Sequence, residues 1–339
     1  MSTTTKFLSA YLGKQTVFGT PVAASMKVPL VGDYEDAQEE HSAEWDTGYW
    51  TPRTIVAQVA QHARFTLNGT GFFEMLPVLF NAGHDHITPT GVGPYAYDDA
   101  VNPSAVGVPR AYTAFFGGNE NLGATGPMIR VRDCHLEAFS LAGNINTKEI
   151  ALTSQWYGAS IDDNAGAGFA RPTSTLPAQV GMMRTLLSTL ELEDATVAGG
   201  AFTTMTATDK ALLDWQFDCD FGLRPLWAAD ENQLFYSGVR HQAPVAALQV
   251  TMRTNQATYA VVRRKAELRT YQELQLTLNG GDAEQLVLKL TGRFLPTVIA
   301  HARSNDEVVM AATFQVETPY TQVTTPHWMS WSLDTNVSL

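Results

Sequence analysis

The chain has 339 residues, of which 45% are hydrophobic and only 17% charged, and its net charge is −12. That hydrophobic content fills one large core or two ordinary ones, and two domains is the expected arrangement. The acidic balance excludes a protein that grips nucleic acid by its phosphates, yet it allows an acidic wall past which nucleic acid slides.

Residues 1–26 mix Thr, Gly and small apolar residues without a sustained period, and read as an extended N-terminal arm that orders by docking on a neighbour. No apolar run of signal-peptide length follows Met1, and no stretch reaches the about 18 apolar residues of a membrane span, so the expectation is a protein made in a cytoplasm and inserted in no membrane. A short strand at Lys27–Val31 leads into an acidic run, Asp33, Glu35, Asp36, Glu39, Glu40, Glu44 and Asp46, which reads as a loop: either a solvated one or one that projects into an assembly. A strand over 62–67 ends at Asn68-Gly69, and a short helix is expected over Glu74–Asn81, with Pro77 tolerated in its first turn and Gly83 closing it. Thr88–Val108 is rich in Gly, Pro, Tyr and Asp and reads as a long surface loop.

Strands near 111–116 and 128–133 precede a hairpin in which Phe139 and Leu141 share a face, Gly143-Asn144 turns, and Ile150, Leu152 and Trp156 return. Ser160–Gln179, with its Asp-Asn-Ala-Gly run, Pro172 and Pro177, is the candidate linker. Beyond it come a strand at Leu186–Leu192 and the clearest alternation of the chain: Trp215, Phe217, Cys219, Phe221 and Leu223 on one face, with Asp214, Gln216, Asp218 and Asp220 on the other. Strands around 245–254 and 308–316 and a possible helix at Ala257–Lys265 follow. A second hairpin alternates Leu274, Leu276 and Leu278, turns at Asn279-Gly280-Gly281, and returns through Leu286, Leu288 and Leu290 to Phe294. The two hairpins share one design, so the chain reads as two copies of one β unit: a first domain over 27–160, the linker at 161–179, a second domain over 180–320 and a C-terminal tail over 321–339. The fold class expected is mainly β, with two sandwich or barrel domains that each carry a short helix.

No constellation of catalytic groups emerges, and no catalytic, cofactor-binding or metal residue is assigned. His84-Asp85-His86 lacks a third ligand at useful spacing. Asp218 and Asp220 share a strand face as paired acids would, but they belong to a wider polar row. Arg263-Arg264-Lys265 is too short to hold nucleic acid, and Gly69-Thr70-Gly71 lacks the third glycine and lysine of a phosphate loop. Cys134 and Cys219 fall within alternating strands and read as buried, reduced thiols.

Four segments together resemble the tail tube (major tail) proteins of long-tailed, siphovirus-like bacteriophages: Arg64–Leu79, a strand leading into a helix; Ile129–Gly158, a central strand pair; Phe217–Leu226; and Leu286–Phe294 followed by Asn305–Glu317. The resemblance covers about residues 25–320 and implies two tail-tube-like domains. It further implies subunits that form rings, rings that stack into a hollow conduit for the genome, and a location in the virion tail. With two tube domains per chain, the ring it implies is a trimeric pseudo-hexamer, with Asp214, Gln216, Asp218 and Asp220 facing the bore and the acidic run of Asp33–Asp46 between subunits. The implied partners are other copies of the chain, the tape measure and terminator proteins, and phage DNA that passes without specific binding. A β-sandwich baseplate or receptor-binding module is the alternative, with Tyr95 and Tyr97 in the loop it would use.

Overall fold

Period-two alternation is strong in much of the chain because many of its strands bury one face and leave the other wet. A computed structural model describes residues 5–7, 9–45, 53–85, 87–91, 94–101, 107–117, 128–163, 169–174, 176, 181–194, 203–204, 212–227, 236–254, 262, 264–269, 271–280, 283–295, 300–304, 307–317 and 328–335. The first half runs β1 (Thr5–Phe7), β2 (Ser9–Lys14), β3 (Met26–Val28), β4 (Val31–Trp45), β5 (Arg53–Thr70), α1 (Leu76–Gly83), β6 (Tyr95–Val101), β7 (Tyr112–Gly117), β8 (Met128–Asn144), β9 (Ile150–Gly158) and β10 (Ser160–Asp163). The second runs β11 (Ser188–Asp194), β12 (Thr203–Thr204), β13 (Leu212–Asp220), β14 (Leu223–Leu226), β15 (Gly238–His241), β16 (Val245–Arg253), α2 (Arg264–Glu267), β17 (Gln272–Asn279), β18 (Gln285–Phe294), β19 (Ala300–Ser304), β20 (Glu307–Val316) and β21 (Met329–Thr335). The protein is mainly β.

Antiparallel pairings recur between the halves in the same chain order. β4–β5, β5–β9, β9–β8, β8–β7, β7–β2 and β8–β10 in the first correspond to β13–β16, β16–β20, β20–β18, β18–β17, β17–β11 and β18–β21 in the second. Helices α1 and α2 fall at the same place in this scheme. The sequence pattern is therefore one strand out of step: the hairpin β8–β9 corresponds to β18–β20, not to β17–β18. β8–β9 does not turn at Gly143-Asn144 as expected, because Gly143 pairs with Ile150 inside the ladder and the turn lies over 145–147; β17–β18 does turn through Gly280, and β19, which lies along β20, hides the true match.

β8 serves two sheets. The start of β8 pairs with β7 and β10, and from His135 it pairs with β9. The crossing is marked by Asp133, whose φ of 54° is rare for a residue with a side chain. β8 then pairs along its other edge with β13, from Asn144↔Asp214 to Ala138↔Asp220. The two halves thereby share one sheet, ordered β4-β5-β9-β8-β13-β16-β20, with the end of β18 and then β19 beyond β20.

The buried side of this sheet and the helix above it form one core drawn from both halves. All eight residues of α1 are buried. Phe80 of α1 stacks on Trp331 of β21 at 4.3 Å and meets Phe139 of β8 edge-on at 5.9 Å. Phe139 in turn meets Phe217 of β13 at 5.8 Å. Cys134 and Cys219 are buried free thiols, as expected, and burial raises the pKa of both.

Several expectations need correction. Residues 9–14 are not an arm but β2, between β3 and β7, with Ala10, Tyr11 and Leu12 buried. The segment after it is tied down as well: Gly19 N–H donates to Asp133 at 2.6 Å, and Gln15 to Thr113 at 2.9 Å. The C-terminal tail contains β21, held between β18 and β6. The linker starts later than expected, because Ser160–Asp163 form β10. The surface loop over Thr88–Val108 contains β6. Of the expected helix at Ala257–Lys265, α2 overlaps only the end, and residues 255–261 lie outside the described residues.

At the crossing of β8, His135 is buried beneath Phe18 and stacked on Tyr157, and its Nδ1–H donates to the Asp133 carbonyl. Burial pushes its pKa down from 6.5 to about 4. Between these two values the unfolded chain binds a proton that the folded chain refuses, so this contribution is complete above pH 6.5 and is lost as the pH falls toward 4. The loss amounts to about 3 kcal/mol. Urea melts at pH 7 and 4.5 are expected to show His135→Gln losing less stability than the native chain over that interval.

Candidate functional site

The side of the large sheet opposite the core carries no covering element among the described residues, and it is built from short polar side chains. The register sets its rows. Asp33, Thr66, Gln155, Ala138, Asp220 and Val245 form one row; Asn68, Thr153, Ser140, Asp218, Ala247 and Gln315 form the next. Beyond these lie Thr70, Ala151, Ala142, Gln216, Gln249 and Thr313, and then Asn144, Asp214, Thr251 and Ala311. The face is dished, with an open groove of about 1050 Å³ lined among others by Asn68, Ala142, Gln216, Gln249 and Thr313.

β13 crosses the middle of this face and follows its expected alternation. Trp215, Phe217 and Cys219 are buried, whereas Gln216 is exposed and Asp214, Asp218 and Asp220 are half-buried. The carboxylates differ in what they do. Asp218 accepts hydrogen bonds from Gln216 at 2.9 and 3.0 Å and otherwise faces the groove side. Asp220 is committed to structure: it accepts from the Gly222 N–H at 2.7 Å and pairs with Arg224, fixing the turn out of β13. Asp214, beside Asn144, has its pKa raised by partial burial.

The acidic run is not a loop. Asp33, Glu35, Asp36, Glu39, Glu40 and Glu44 lie in β4, which pairs with β5 from Val31↔Asn68 to Trp45↔Arg53; Asp46 lies outside the described residues. β9 accompanies β5 only as far as Ala63, so the rest of the hairpin extends beyond the sheet without a third strand among the described residues. Asp33 and half-exposed Thr66 join the polar face at its edge.

His84 is packed against Phe221 and Trp331, with Asp99 at 3.6 Å, and burial lowers its pKa; His86 lies outside the described residues. No group of three metal-ligating side chains occurs among the described residues. Tyr97 is not in an exposed loop but is buried in β6. The reading of the sequence missed Thr66, Asn68, Ser140, Thr153, Gln249 and Thr313 as members of the face. Their signal was present as polar residues alternating with buried ones, but only the pairing shows that they adjoin β13.

The arrangement is a broad surface of mostly small side chains that runs across both halves, with Asp214, Asp218 and Asp220 near its centre. No protein-family model matches the sequence, and no curated protein matches it.

Proposed function

We propose that the chain is the structural subunit of a phage tail tube, with the polar face lining the bore. The observation that carries this reading is the β8–β13 pairing, in which the last strand of one repeat's sheet adds the first strand of the next. A repeat that joins its copy in this way leaves the same two edges at the ends of the chain, and one head-to-tail contact repeated with a closing rotation gives a ring.

Strand arithmetic favours three copies. Each chain supplies β4, β5, β9, β8, β13, β16, β20 and the β18–β19 edge to the wall. Three chains give about 24 strands, which at ~4.8 Å apiece wrap a backbone cylinder ~37 Å across before tilt widens it. That admits a DNA duplex about 20 Å wide with side chains and water between. Two copies give ~24 Å, which side chains would close; six give ~73 Å, far wider than the cargo needs. Carboxylates such as Asp218 on the face keep phosphates from sticking, so DNA slides without specific binding. The projecting β4–β5 hairpin suits contact between stacked rings, and tape measure and terminator proteins are the partners expected at such a tube.

Electron microscopy of the purified protein tests the assignment. Hollow tubes of uniform width are the expected result; discrete particles at every concentration would favour a baseplate or receptor-binding module.

A further inference from the structure

The same repeat exposes a control on assembly. β13 is paired on both sides: β16 lies on one, and along the other Asp214–Asp220 are covered by β8. Its counterpart β4 has β5 on one side, in place of β16. The side that corresponds to the β8 contact is where a neighbouring chain's β18–β19 edge would pair. In the single chain that side is not vacant. β1 lies on it, with Thr5↔Tyr34, Lys6↔Asp33 and Phe7↔Gly32.

β1 also runs antiparallel to β4, as β8 does to β13, so it copies the direction as well as the place of the missing neighbour. The copy is short. β1 covers three residues where β8 covers seven, and no strand lies on its outer side among the described residues. A strand of that length is held by few ladder hydrogen bonds and is easily displaced by a longer one. Unpaired sheet edges promote uncontrolled association, and covering them is a common protection.

We infer that β1 is a removable plug: in the free subunit it covers the β4 edge, and ring closure exchanges it for the β18–β19 edge of a second copy. This rests on the tail tube reading, since it names the regulation of the contact that closes the ring.

The test compares the full chain with a variant lacking residues 2–7, which keeps all of β2. Assembly is followed by light scattering and checked by electron microscopy, and amide hydrogen exchange is recorded on the unassembled subunits. With the plug gone, Gly32–Tyr34 are expected to lose protection in the free subunit, and assembly is expected to begin at roughly tenfold lower protein concentration with a shorter lag. As a second variant, Thr5→Cys with Tyr34→Cys, oxidised, is expected to block assembly until reduced. If full chain and truncation form tubes with the same lag and threshold, the plug is wrong and the tube stands. If the truncation assembles more slowly, β1 supports the ring instead and the plug is equally overturned. If neither chain forms tubes, the tail tube reading fails and the plug with it.

Discussion

Phe217→Ala is expected to remove about 3–5 kcal/mol of stability, the usual loss for deleting a fully buried phenylalanine, and to do so in both halves at once. Phe217 is wholly buried, and its row in the sheet runs Leu141, Phe217, Leu248, Phe314, which places residues of the first and second repeats side by side. Phe139 of the first repeat also packs on its ring. Deleting the ring leaves a cavity at the seam that neither repeat can refill alone. Against a total stability of about 5–15 kcal/mol this is a large fraction. Urea melts followed by Trp156 fluorescence for the first repeat, and by Trp331 for the second, each with the other chain tryptophans replaced, should move together. A shift confined to one probe would mean that the seam does not couple the repeats.

The second large effect is on transport. Replacing both Gln216 and Asp218 with Lys converts the centre of the polar face from acidic to basic without touching the core, because Gln216 is exposed, Asp218 is only half-buried, and Gln216 donates its hydrogen bonds to Asp218. Asp220 is left alone, since it holds Gly222 and Arg224. Tubes are expected to form normally, and DNA ejection through them to slow at least tenfold at low salt, recovering as salt screens the added charges. Ejection at the native rate in particles built with the variant would mean that this face does not line the bore.

Much of the local structure was legible. The alternation of β13, the glycine turn between β17 and β18, the helix near Pro77 and the two buried cysteines all follow from local patterns, which one strand, turn or helix records by itself. What failed did so for identifiable reasons. β2 is buried on both faces, so Ser9, Ala10, Tyr11 and Leu12 show no alternation and resemble an unstructured arm. β4 carries acidic residues at both parities, which hides a strand inside what composition marks as a loop. β21 does alternate, with Met329, Trp331 and Leu333 buried, but its seven residues lie past the last recognised repeat. The seam between β8 and β13 joins residues some seventy positions apart, and no local pattern specifies which strand edges meet. The face therefore read as one strand of four residues when it spans the width of the sheet.

The central claim is that two repeats in one chain occupy adjacent, equivalent places in a ring. Averaged cross-sections of the assembled tube test it most directly. Three chains per ring with pseudo-sixfold density are expected, the seam between β8 and β13 alternating with a matching seam between the β18–β19 edge of one chain and β4 of the next. Six whole chains per ring, with residues 180–320 projecting outward from the wall, would contradict it.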